Sequence, residues 1–151
     1  MKAILLLADA AQVSGGKLNL LGGGWSVTGP LPTPSALAIK IEVPWNKADV
    51  RHHFVLQLFT ADGNPVMVDG PNGQPQPMRV DGEFDVGRSS DLPAGIPIDV
   101  PLAVNIAPLP LQPQSRFTWR LTVDDETHED WQASFSTRAL PHDAPAAGSK
   151  P

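Results

Sequence analysis

The chain has 151 residues, with 17 prolines, 13 glycines and no cysteine or tyrosine. The missing cysteine excludes a disulfide framework, a thiolate zinc site and a thiol nucleophile. The formal charge is −5, from 11 basic and 16 acidic side chains, so no global positive field draws nucleic acid.

Proline and glycine fall between short alternating runs, a punctuation that forbids long helices nearly everywhere and predicts many short strands. The opening MKAILLLADA imitates a signal peptide, with Lys2, an apolar run and the triplet Ala8-Asp9-Ala10. That run is shorter than the roughly 7–15 residues of an h-region and Asp9 interrupts its end. A buried first strand and a cytoplasmic location are therefore expected. No apolar stretch reaches the roughly 18 residues needed to span a bilayer, so no membrane is expected as partner. Residues 3–13 and 17–22 flank Ser14-Gly15-Gly16, a hairpin signal. The helix formers in LLLADAAQ leave a helix of about three turns open over the same residues. GGGWSVTGPLPTP (22–34) reads as a long loop.

Clear alternation follows. Leu37, Ile39, Ile41 and Val43 share one face of a strand that Pro44 ends. Val50, His52, Phe54, Leu56 and Leu58 share a face of the next, which is apolar on most of both sides and so predicted to be central. A short run at 66–68 leads into a second Gly/Pro loop, 69–77. Three further strands alternate through Met78 to Val86, Ile98 to Ile106 with Pro101 outward as on an edge, and Phe117 to Val123. A last one runs through Trp131, Ala133 and Phe135. The expected fold is all-β, a single antiparallel β-sandwich of eight or nine strands over residues 1–138 with long Gly/Pro loops. Uneven strand lengths and two loops resembling crossovers favour it over a closed barrel. Residues 139–151 carry no pattern and are expected to form a disordered tail.

Five carboxylates crowd DDETHED: Asp124, Asp125, Glu126, Glu129 and Asp130. Such a tip resembles the calcium loops of some β-sandwich modules, because a hard cation takes several oxygens. It lacks EF-hand spacing and a bend glycine, and the favoured reading is a solvated tip that discourages aggregation. His52 and His53 are adjacent in a strand, so they point to opposite faces and cannot share an ion. With Asp49, either one could serve a small hydrolase or isomerase, if the loop tryptophans lined the same pocket. Gly22-Gly23-Gly24-Trp25-Ser26 fits neither a phosphate loop nor a nucleophile elbow. Trp119 and Trp131 are in phase with the core, whereas Trp25 and Trp45 lie at loop ends where they could anchor a partner. Arg116, Arg120 and Arg138 are expected to pair across strands with Asp81, Glu83 or Asp85.

The run ILLLADAAQVSGGKLNLLGGGW, the strand LAIKIEVPW and the closing FTWRLTVDDE…WQASFSTR resemble a set of small bacterial proteins catalogued only as a domain of unknown function. The resemblance covers about residues 1–138. It implies an immunoglobulin-like or C2-like sandwich and carries over no catalytic residue; the acidic tip is longer than the tight turn it leads one to expect. By subtraction the expected function is non-enzymatic, with no cofactor: a module binding another protein or itself, with Trp25, Trp45 and loop 22–34 foremost. Calcium-dependent binding and a His-based hydrolase stand as the alternatives.

Overall fold

The computed structural model describes residues 1–141. Most of the tail expected from residue 139, namely 142–151, lies outside the described residues. Among the described residues the fold is all-β, with a short 3₁₀ turn at Trp45–Lys47. Among the described residues no helix is long and apolar enough to cross a membrane.

Among the described residues eleven strands form three sheets. In the first, β1 (Lys2–Ser14) lies between β2 (Lys17–Gly23) and β4 (Ser35–Val43), and β9 (Ile98–Ile106) closes the far edge. The second has the order β3 (Val27–Thr28), β11 (Gln132–Thr137), β10 (Arg116–Val123), β5 (His52–Thr60) and β8 (Arg79–Phe84). A third sheet pairs β6 (Met67–Asp69) with β7 (Pro75–Pro77). The ladders are antiparallel except that β3 runs parallel to β11.

Period-two burial builds the core. Leu37, Ile39, Ile41 and Val43 are all fully buried, as their alternation requires, and Phe117, Trp119, Leu121 and Val123 answer them from β10. Side chains from β1, β4 and β9 meet those of β5, β8, β10 and β11 in one cluster. Trp119 and Trp131 both lie in it. Pro101 sits on β9, an edge strand, where its missing N–H costs no ladder bond.

The first hairpin forms as expected, which settles the open helix alternative, and two loop readings are corrected. Residues 3–13 are strand, because pairing with both β2 and β4 outweighs the helix propensity of LLLADAAQ. The β1–β2 turn places Gly15 and Gly16 at φ 58° and 73°, the geometry of a type I′ hairpin. Loop 22–34 contributes the end of β2 and all of β3, and loop 69–77 contributes the last residue of β6 and all of β7.

The ring of Phe54 lies over Gly82 on β8, where a Cβ would stand 2.5 Å from two ring carbons. Gly82→Ala is expected to cost about 1–3 kcal/mol through overpacking. Trp119→Ala is expected to cost about 3–5 kcal/mol as a buried aromatic is lost. Urea unfolding of each variant measures both, and wild-type stability in the second would invert the assigned phase of β10.

Candidate functional site

The chain crosses from one sheet to the other directly after β2. Gly24 N–H donates to Leu7 O at 2.7 Å, still on the first sheet. Ser26 O and Thr28 O then accept from Ser136 and Arg138 N–H at 2.8 and 3.0 Å, on the edge of the second. The turn needs glycine at Gly22, whose φ is +60° and where a Cβ would collide with the Asp9 carboxylate. Trp25 sits at this corner. It is half-buried, edge-on to Phe135 at 6.0 Å, and its Nε1 is buried without a partner. The predicted partner-binding tryptophan is thus partly a packing residue that seals the space between sheets.

Outside Trp25 opens a cleft of about 460 Å³. Trp25, Pro30 and Leu31 supply apolar walls, with Asp9 and Arg138 as the two charged groups. Arg138 donates from Nη1 to Gly29 O at 3.2 Å, which fixes the loop to the guanidinium. Leu31 is 66% exposed.

The β1–β2 hairpin leaves the core beside this cleft. β4 begins at Ser35, so β1 loses its β4 partner after Ala8. The side chain of Asn105 on β9 replaces it, donating to Ala11 O at 3.0 Å and accepting from Ala11 N–H at 3.3 Å. Ala11 and Leu18 then pack on Ala36, Ala38 and Ala103, the small residues of the sheet's outer face. The remainder of the arm stays in solvent, with Leu21 72% exposed.

Trp45 lies beyond the opposite end of β4 and does not meet Trp25. The Arg88 guanidinium covers its ring at 5.4 Å, and Arg88 Nε and Nη2 donate to Trp45 O at 3.0 and 2.8 Å. His52 is buried at the same end. Its Nε2 donates to Lys47 O at 2.9 Å and its Nδ1 meets Asp124 Oδ2 at 2.6 Å. A carbonyl and a carboxylate both accept, so each ring nitrogen is aimed at an acceptor. His53 points the other way, 3.5 Å from Asp81. Asp49 is taken by Arg88. The cleft beside His52 is lined by Asn46, Lys47, Val50, Arg51 and Asp124, with neither loop tryptophan in its wall.

The acidic tip is tighter than its sequence suggests. Asp124 and Asp125, at φ 51° and 66°, form a two-residue turn closed by Val123 and Glu126. Asp124 folds back onto β5: its N–H donates to His53 O at 2.8 Å and its Oδ1 accepts from His53 N–H at 2.9 Å. It therefore extends the β5–β10 ladder by one step, while Asp125, Glu126, Glu129 and Asp130 remain exposed. Among the described residues no three acidic or histidine side chains gather in a way that could hold a metal ion.

The expected cross-strand arginine pairs do not form. Arg120 lies over Phe59 at 4.8 Å, Arg116 donates to Ser136 Oγ at 3.2 Å, and Arg138 holds Gly29. Asp81 pairs with Arg79, and Glu83 and Asp85 with Arg51, because these neighbours lie on the same or an adjacent strand end. Sequence reasoning named loop 22–34, which holds Leu31, but missed Asp9, Leu21 and Arg138 beside it. Nothing in their spacing says that the hairpin outruns the core.

Burial of Asp124 disfavours its charge, but bonds from His53 N–H and the His52 ring, with the charges of His52 and Lys47, outweigh it and lower its pKa. A folded-state pKa below the ordinary one adds stability above about pH 4 that is lost as pH falls through the lowered value. Asp124→Asn keeps the turn and removes the charge. It is expected to cost about 1 kcal/mol at neutral pH, discounted for the half-exposed carboxylate, and to flatten the acid limb of a stability–pH profile.

Two comparisons find nothing: no curated protein and no solved structure matches the chain. A family model does match, over residues 3–134, which contain every strand except Lys2 of β1 and the last residues of β11. The chain belongs to a family of unknown function, DUF6941.

Proposed function

We propose that this chain is a non-enzymatic binding or assembly module. In this reading it is a two-layer sandwich of immunoglobulin-like or C2-like kind, working in the cytoplasm on another protein or on a second copy of itself. One observation carries it. Of the ten large hydrophobic side chains left exposed among the described residues, seven fall between Ile4 and Leu31. Scattered apolar residues need no explanation, whereas a concentration on one arm and its adjoining loop marks an interaction surface.

The surface has the composition of a docking site. Leu20, Leu21 and Leu31 supply apolar contact, and Asp9 and Arg138 frame the cleft with opposite charges. A hydrophobic centre with a polar rim is the usual anatomy of a protein interface. The net charge of −5 argues against nucleic acid as the partner.

The test is capture from the native cell combined with sizing of the purified chain, against the double variant Leu21→Glu, Leu31→Glu. The wild type is expected to retain a defined partner or to run as an oligomer, and the variant to lose this at an unchanged melting temperature. A monomeric wild type that captures nothing beyond what the variant captures contradicts the reading.

A further inference from the structure

The geometry points to a second copy of this chain as the occupant of the free edge of β2, joined antiparallel so that two four-stranded sheets become one; this rests on the binding reading above. β2 is an outer strand, bonded to β1 on one side only. Ser14 and Lys17 close a two-residue loop as a bonded pair, so Asn19 and Leu21 also face β1 through their backbone, while Leu18 and Leu20 face away. Ala11 fixes this parity independently. Its N–H and C=O go to Asn105, on the side away from β2, so its cross-strand partner Leu20 turns its own pair to the free edge. Leu18 and Leu20 thus offer an unpaired row of donors and acceptors.

Edge strands are ordinarily blunted by charge, proline or a cover. β2 has none along its middle: Lys17 at its start is its one charged residue, and Gly22 and Gly23 end it without side chains. The Asp9 carboxylate lies over Gly22, so the strand is basic at one end and acidic at the other. Antiparallel pairing brings each Lys17 end beside the Asp9 end of the other copy, whereas parallel pairing would set like charges together. Full overlap of Lys17–Gly23 places Leu20 opposite Leu20 on the two-fold axis, a self-complementary contact of the kind closed dimers use. Backbone bonds and leucine contact across an added strand are the means by which sheet edges recruit partners.

Sedimentation of the full chain over a concentration series, in parallel with partner capture, tests this with Leu20→Pro, Leu20→Lys and Leu31→Glu. Proline removes an N–H that β1 does not use, and lysine sets two like charges face to face on the axis. The wild type is expected to dimerise reversibly. Each Leu20 variant should weaken the dimer on the order of tenfold or more, as two bonds or a like-charge contact would, and by more than Leu31→Glu does. If Leu20→Pro unfolds, Leu20→Lys carries the test. A dimer unaffected by Leu20→Lys but lost in Leu31→Glu overturns the β2 assignment and leaves the binding reading standing. So does a wild type that is monomeric throughout yet captures a different protein. A monomer that captures nothing overturns both.

Discussion

The contact between the inner faces of the two larger sheets governs everything else in this molecule. Leu37, Ile39, Ile41 and Val43 meet Trp119, Leu121 and their neighbours in a single apolar cluster. Each side chain belongs to a period-two run, so a shift of one residue in either strand would expose the whole set. That requirement fixes the register of β4 and β10 and leaves their outward faces free to vary. It also determines where the core stops. β4 starts at Ser35, and the first strand runs on past it with an asparagine side chain in place of the lost strand on that side.

The surface consequences follow from that mismatch in length. A hairpin that outruns its sheet has a greasy sequence and no interior to enter. Small residues let part of it fold back, Ala11 and Leu18 against Ala36, Ala38 and Ala103, and the leucines beyond stay in water. The crossing at Gly24–Thr28 then carries the chain to the other sheet and leaves Trp25 as the plug of the corner. Apolar surface and open backbone edge therefore arise in the same place from the same cause. At the far end of the sheets the polar groups are satisfied instead, with His52, Lys47 and Asp124 closing on one another.

What could be read from the residues divides along the same line. Alternation in 36–43, 52–58 and 117–123 identifies the strands, their inward faces and the core tryptophans, because side-chain period is a local property. The edge position of β9 was legible from Pro101, since proline forfeits a ladder bond. The β1–β2 pairing was legible from its two glycines, although the helix-forming run before them argued the other way. The conformation of the acidic tip was not legible, for a physical reason. Five carboxylates within seven residues look like a ligand set, but two successive positive φ angles fold Asp124 back on β5 and spread the remainder. The exposed arm was illegible, because Leu20 and Leu21 have the same apolar character as buried leucines and only the length of the neighbouring strand separates them. The arginine partners were likewise set by strand order, which spacing does not contain.

Amide hydrogen exchange, resolved by residue and followed over a range of protein concentrations, bears most directly on the claim that β2 presents a usable edge. The N–H groups of Asn19 and Leu21, engaged with β1, should be protected at every concentration, and those of Leu18 and Leu20 should become protected only as concentration rises. Exchange at Leu18 and Leu20 that stays fast and independent of concentration would contradict it.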